Sequence, residues 1–260
     1  MNPMLCVIAG QRSGTTAFDS ALGATGKFFN FGEIFHTQED GGRPAAFLSF
    51  IRDKGVSLED LATYRTTEIL VEEFLAHLAS SANGRIPLID VKLNSWNVIH
   101  PFWAYPLEKP FFLQSLQTRG AAFVFVIRRD LVGQVLSEEI ARAVNKWHEL
   151  QSDDVPAPIT VDVRKVRRRA ENILQSERFL FDHLTGYRSL ITATYETLFE
   201  DGCVSARLTE QVARTLRTPP LGRVKVGLQK NKGRKENLVS NFAEIQDAID
   251  GLVAKCGRVF

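Results

Sequence analysis

Four short apolar runs stand out along the chain: Leu5–Ala9, Ile86–Val91, Phe123–Ile127 and Leu190–Ala193. Three of them lack polar alternation, the pattern of strands covered on both faces, as in a parallel sheet. Pro87 has no N–H to give to a ladder, so it marks the start of its strand. Between the runs, apolar residues recur at helical spacing. One stripe is Leu61, Ile69, Leu70, Phe74 and Leu78, introduced by Ser57 and Asp60 in the manner of a capping box. A second is Val163, Val166, Ala170, Ile173, Leu174, Phe181 and Leu184. A third is Leu208, Val212 and Leu216, and a fourth is Phe242, Ile245, Ile249 and Val253, ended near Gly257. Alternating strands and helices predict an α/β fold, a central parallel β-sheet flanked by helices on both faces. Gly41–Pro44 reads as a turn and Gln151–Thr160 as a loop. Neither has the composition of a linker, so residues 1–260 are expected to form one domain.

Composition changes this picture little. The chain has 260 residues, 44% hydrophobic and 24% charged, with a net charge of +2. These are the proportions of a globular chain, which excludes an intrinsically disordered one. The charge balance argues against a nucleic-acid partner but leaves room for a local basic pocket. Cys6, Cys203 and Cys256 form neither a CxxC pair nor a disulfide framework, which suits a reducing compartment. No apolar stretch has the length of a membrane span or the form of a leader. A cytoplasmic protein is the expectation.

Candidate chemistry begins in the turn after the first run, Ala9-Gly10-Gln11-Arg12-Ser13-Gly14-Thr15-Thr16. A strand–turn–helix of this kind aims backbone N–H groups and a helix dipole at one spot, which suits an anion. Gly14 permits close approach, Thr15 and Thr16 add hydroxyls, and Arg12 adds a fixed positive charge. The turn is P-loop-like but is not a Walker A loop: Gly10 and Gly14 are four apart, and Thr15 stands where the lysine belongs. A tight turn capped by Ser and Thr is the alternative at this point. Two more basic features fall at predicted strand ends, where open α/β sheets bind ligands: Asp90-Val91-Lys92, and Arg128-Arg129-Asp130 with Ser137 on the helix Leu131–His148 that Asp130 would cap.

Together these strings resemble the sulfotransferases. Arg12-Ser13-Gly14-Thr15-Thr16 is similar to the family's 5′-phosphosulfate loop. The longer string from Gln11, with Ala24-Thr25-Gly26 and Gly32-Glu33-Ile34-Phe35, looks most like the bacterial carbohydrate branch that includes trehalose 2-sulfotransferase. The resemblance spans about residues 5–242. It implies a bacterial enzyme that moves the sulfuryl group of 3′-phosphoadenosine 5′-phosphosulfate (PAPS) to a hydroxyl of a carbohydrate or glycolipid and releases PAP, with no metal. It implies that Gln11, Arg12, Ser13, Gly14, Thr15 and Thr16 hold the 5′ end of the donor. Arg128 or Arg129 with Ser137 would then hold the 3′-phosphate: Arg129 gives a spacing of eight to Ser137, and Arg128 gives nine, as in the trehalose branch, where Gln134 also has a counterpart. Lys92 would approach the sulfuryl group, and Lys92, Arg12 and the loop amides together would neutralise the charge on the sulfuryl and bridging oxygens. Glu33 would be the general base, with His36 as its rival. The Tyr195-Glu196-Thr197-Leu198 string, similar to another family motif, reads as mainly structural. Lys230, Lys232, Arg234 and Lys235 would belong to a basic segment covering the nucleotide, although the family's Gly-x-x-Gly pattern is missing. The trehalose branch forms dimers, which leaves a homodimer open.

Other features carry blander readings. The run Arg164–Arg169 reads as the solvated outer face of a helix rather than a nucleic-acid site. The aromatic groups Phe28-Phe29-Asn30-Phe31 and His100-Pro101-Phe102-Trp103 read as core or lid packing before they read as a sugar pocket. The function classes left in competition are a nucleotide-dependent kinase on a P-loop-related scaffold and a non-catalytic nucleotide-binding module.

Overall fold

A computed structural model describes residues 3–36, 46–61, 63–95, 110–144, 158–227 and 235–260. The turn at Gly41–Pro44, most of the Gln151–Thr160 loop, the His100–Trp103 aromatics, and Lys230, Lys232 and Arg234 lie outside the described residues.

Five strands form one parallel sheet: β1 (Leu5–Ala9), β2 (Phe28–Glu33), β3 (Ile86–Lys92), β4 (Ala122–Ile127) and β5 (Leu190–Thr194), in the order β2-β3-β1-β4-β5. The four apolar runs are four of these strands, and β1 and β4 are buried along their whole length. Alternate residues feed opposite faces. Leu5, Val7 and Ala9 pack with Phe18, Ala21 and Leu22 of α1 (Thr15–Gly23), and with Leu208, Val212 and Leu216 of the helix Ala206–Leu216. Cys6 and Ile8 pack into the other face, under Phe74 and Leu78 of the helix Tyr64–Ser81 and Phe112 of the helix Phe111–Thr118. The α/β sheet with helices on both faces is therefore as expected.

The fifth strand, β2, corrects the four-strand expectation. Its Phe28-Phe29-Asn30-Phe31 segment is an edge strand rather than an aromatic cluster beside one. It escapes detection because only Phe28 is fully buried, Asn30 is exposed, and the pairing with β3 shifts register between Asn30 and Gly32. Glu33 is consequently the last residue of a strand. The proposed helix from Ser57 also differs. The capping box is real: Asp60 N–H donates to Ser57 Oγ at 3.1 Å, and Ser57 N–H to Asp60 Oδ2 at 3.1 Å. It caps only the short turn Leu58–Leu61, and a separate helix begins at Tyr64. Ile69 faces solvent, 51% exposed, so the buried stripe runs through Leu70, Val71, Phe74, Leu75 and Leu78 instead.

A third apolar cluster joins three helices beside the sheet: α6 (Leu131–Val144), α7 (Val163–Leu184) and α9 (Phe242–Cys256), counting α2 to α5 and α8 as Phe47–Asp53, Leu58–Leu61, Tyr64–Ser81, Phe111–Thr118 and Ala206–Leu216. Here the basic run is only partly a solvated face. Arg164, Arg167 and Arg168 are exposed, but Lys165, itself exposed, and half-buried Arg169 pair with Glu139 and Glu138 of α6.

The strand order positions the site. After β1 the chain crosses to one side, toward β2, and after β4 it crosses to the other, toward β5. The carboxyl ends of β1 and β4 therefore flank the crevice where such sheets take their ligands. Register brings Ala9 abreast of Lys92 and Val126, and Glu33 abreast of Asp90.

Candidate functional site

The turn after β1 is held in a conformation that L-residues rarely adopt. Arg12 has φ +63° and Gly14 has φ +76°, both left-handed. At Gly14 a side chain is also excluded sterically, because a Cβ there would lie 2.8 Å from the ring of Tyr195. The loop is tied down from α6: Gln134 Nε2 donates to the carbonyl of Gln11 at 2.8 Å and to Ser13 Oγ at 3.2 Å. Arg128 Nη1 donates to the carbonyl of Arg12 at 3.1 Å.

Two centres lie on either side of this loop. The first gathers residues from β2, β3 and α1. The ammonium of Lys92, 3% exposed, donates to Thr15 Oγ1 and to Asp90 Oδ2, the latter at 2.5 Å, and stands 3.7 Å from Glu33 Oε1. Thr15 Oγ1 donates to the same Asp90 oxygen at 2.7 Å. Gln11 Nε2 reaches Glu33 Oε2 at 3.5 Å and Asn94 Oδ1 at 3.4 Å. Burial works against the charge of Lys92, but the carboxylates of Asp90 and Glu33 outweigh it and raise its pKa. Lys92 is thus a firmly charged cation held at the mouth of the sheet.

The second centre gathers the loop, the end of β4 and α6. Arg12 Nε donates to Ser137 Oγ at 3.3 Å. Arg128 is 7% exposed; beyond the Arg12 carbonyl it bonds Asp130 Oδ2 at 3.0 Å and lies 4.6 Å from the centroid of the Tyr195 ring, a cation–π contact. Burial lowers the pKa of Arg12; Glu138 opposes this, and the like charge of Arg128 adds to it. Two guanidinium groups brought together at a partly buried spot suit an anion. Asp130 caps α6 as expected, its Oδ1 accepting from Gly133 N–H at 2.6 Å.

The predicted site residues divide accordingly. Glu33, Lys92, Gln11 and Thr15 meet in the first centre, and Arg12, Ser13, Arg128 and Ser137 in the second. Arg12 therefore faces Ser137 and Arg128 rather than sharing the Lys92 centre. Thr16 is exposed on the first turn of α1, and Arg129 is exposed beside Arg128. His36 is half-buried three residues beyond Glu33, after the buried pair Ile34 and Phe35. Lys230 and Arg234 lie outside the described residues. Their neighbour Lys235 is described, and it donates its Nζ to the carbonyl of Gly133 in α6.

One participant escapes a reading of the sequence, and two more belong to the Tyr195–Leu198 string read there as mainly structural. Asp19 lies beneath the Lys92 centre, 2% exposed, as one polar residue in the apolar stripe of α1. Tyr195 does more than end β5, since its ring is packed between Gly14 and Arg128. Glu196 accepts from the backbone N–H groups of Arg129 and Asp130, both at 3.2 Å, which anchors the turn into α6. Among the described residues no group of three His, Cys, Asp or Glu side chains could hold a metal ion, and no helix is long and apolar enough to cross a membrane.

No family model matches the chain, and no curated protein matches it. Among solved structures it is similar to the sulfotransferase domain from the curacin biosynthetic pathway, at 12% identity and a TM-score of 0.47, covering 100% of this chain and 93% of that one. Likeness at this level says nothing about activity, donor or acceptor.

Proposed function

We propose that the protein is a PAPS-dependent sulfotransferase whose acceptor is a hydroxyl of a carbohydrate or glycolipid. The observation that carries this reading is the pairing of a buried lysine with a strand-end carboxylate at one lip of the loop, Lys92 with Glu33 3.7 Å away, while Arg12, Arg128 and Ser137 converge at the other. A donor bearing a sulfuryl group at one end and a 3′-phosphate beyond it needs two cationic subsites. Two centres flanking one loop supply them.

In this reading Glu33 takes the proton of the acceptor hydroxyl as its oxygen attacks sulfur in line and the bond from sulfur to the 5′-phosphate oxygen breaks. Lys92 and the loop N–H groups neutralise the charge that develops on the transferred and leaving oxygens. Arg12, Ser137 and Arg128 or Arg129 hold the 3′-phosphate. Product PAP keeps both phosphates. His36 is the rival base, and its place beyond Phe35 favours it less than the direct Lys92 contact favours Glu33.

The kinase alternative fares worse on one specific point. P-loop kinases hold Mg²⁺ with the loop Ser/Thr and the acid of the neighbouring strand. Here the ammonium of Lys92 occupies the position between Thr15 and Asp90. The test is a calorimetric titration with adenosine 3′,5′-bisphosphate, with ATP as competitor. Binding of the bisphosphate without competition by ATP supports the reading; preference for ATP, or no binding of either, sinks it. A sulfate-transfer screen over hydroxylated glycans then identifies the acceptor. In that assay Glu33→Gln should abolish turnover while bisphosphate affinity stays close to wild type, and wild-type turnover in the variant would remove Glu33 as the base.

A further inference from the structure

An aspartate on the core face of a helix must be neutral or fully paired, because an isolated buried carboxylate is far too costly. Asp19 of α1 is 2% exposed and Asp90 of β3 is 1% exposed. Asp90 Oδ2 already receives Thr15 Oγ1 at 2.7 Å and Lys92 Nζ at 2.5 Å. Its other oxygen, Oδ1, has no donor, and neither has Oδ1 of Asp19. Asp90 is the neighbour that acts most strongly on Asp19, through its charge and as the side-chain hydrogen-bond partner within reach. Two ionised carboxylates cannot form that bond. One proton between them makes it and satisfies the buried oxygens.

We propose that Asp19 is a positioning residue for Lys92: as a neutral acid it donates to Asp90 and thereby holds the opposite edge of that carboxylate against Thr15 and the lysine ammonium. The groups facing Asp19 come from three strands. Burial acts first to raise its pKa well above the ordinary value, the charge of Asp90 adds to this, Lys92 works against it and Glu33 of β2 reinforces it. From β1, Cys6 meets the same field. Burial, then Asp90 and Asp19, push its thiol well upward, so it stays neutral. With Asp19 neutral, Lys92 answers two carboxylates, Asp90 and Glu33, and not three. An ionised Asp19 would draw the ammonium inward, away from any anion arriving at the loop.

The role of the lysine in turnover rests on the sulfotransferase reading, but the protonation state of Asp19 does not. The first test is therefore infrared spectroscopy of the whole chain at neutral pH. It is done in a Glu177→Gln background, because Glu177 is a second buried acid held partly protonated there. A carbonyl band of a protonated carboxylic acid, shifted in D₂O and lost in Asp19→Asn, is expected. Identical spectra with and without Asp19→Asn would overturn the proposal. The second test uses turnover. Asp19→Asn keeps an N–H donor toward Asp90 and should retain kcat within about two-fold, whereas Asp19→Ala should lower kcat about ten-fold or more with a smaller change in KM. Equal losses in both variants would refute positioning through the donated hydrogen bond. A wild-type protein that shows the infrared band but no sulfate transfer would refute the function proposed above and leave the Asp19–Asp90 pair standing.

Discussion

Replacing Gly14 with Ala separates two physical costs that the loop combines. The first is conformational. An L-residue at φ +76° is disfavoured by roughly 1–2 kcal/mol. The second is steric, since the new methyl would lie 2.8 Å from two ring carbons of Tyr195. That ring cannot swing freely, because its face is stacked against the guanidinium of Arg128 at 4.6 Å. Overpacking of this kind costs about 1–3 kcal/mol, so Gly14→Ala should destabilise the fold by about 2–5 kcal/mol in total. Gly26 provides the control. It has φ +73°, and a Cβ added there would meet nothing within 4 Å, so Gly26→Ala carries the conformational cost alone, about 1 kcal/mol net.

Urea denaturation at equilibrium measures both variants, with linear extrapolation and a check that the slope is unchanged. A double-mutant cycle with Tyr195→Ala then isolates the clash. In the background lacking the ring, Gly14→Ala should cost about as much as Gly26→Ala, which leaves an interaction energy of roughly 1–3 kcal/mol. If Gly14→Ala costs no more than Gly26→Ala in the wild type, or costs the same with and without the ring, the loop is not held against Tyr195 and the account of its rigidity is wrong. Bisphosphate affinity should fall alongside stability, because the atoms pushed apart are those that frame the proposed anion site.

Two further outcomes are expected. Glu177 is 1% exposed, and burial raises its pKa from 4.5 to about 7 although Arg258 stands 3.1 Å away and pulls it down. A raised folded pKa means that the native state holds the proton more tightly, so stability should fall by about 3 kcal/mol as pH rises from about 4.5 through about 7. Glu177→Gln should flatten that slope in pH-dependent denaturation, and an unaltered slope would show that Glu177 is not its source. The neighbouring arginines should part company. Arg128→Ala removes two hydrogen bonds and the ring contact and should cost about 2–4 kcal/mol of stability. Arg129→Ala should leave stability within about 0.5 kcal/mol yet, if Arg129 grips the 3′-phosphate, weaken bisphosphate binding about ten-fold or more. Equal effects of the two on stability would contradict the different burial of their side chains.

What can be read in the sequence follows from how many faces of an element are buried. β1 and β4 are covered on both sides, so their runs of Val, Ile and Phe announce them almost to the residue. β2 has an open edge, an exposed Asn30 and a register shift at Gly32, and no two-residue period survives. The loop residues are legible because a strand–turn–helix with Gly, Ser and Thr has few other uses. The choice between Arg128 and Arg129 is not legible, since adjacent residues at a strand end point in different directions and only Tyr195 and Asp130 reveal which one is inside. Asp19 is hidden for the opposite reason: one polar residue in an apolar helical stripe looks like an irregularity until the strand beneath it supplies Asp90.

The near-neutral charge of the chain and the cationic character of the site then have one explanation. A buried cation without a counter-charge would be as costly as a buried carboxylate, and each one here has a partner: Lys92 has Asp90 and Glu33, and Arg128 has Asp130. Any anion that enters must compete with carboxylates already in place. At Lys92 the two competitors differ. Asp90 is buried and clamped by Thr15, whereas Glu33 is 20% exposed and 3.7 Å from the ammonium, so Glu33 is the partner that an arriving anion displaces. In the sulfotransferase reading proposed above, donor binding thereby frees the Glu33 carboxylate for the acceptor hydroxyl, and a Lys92→Ala variant, which has no ammonium to trade, should lose the coupling between the two.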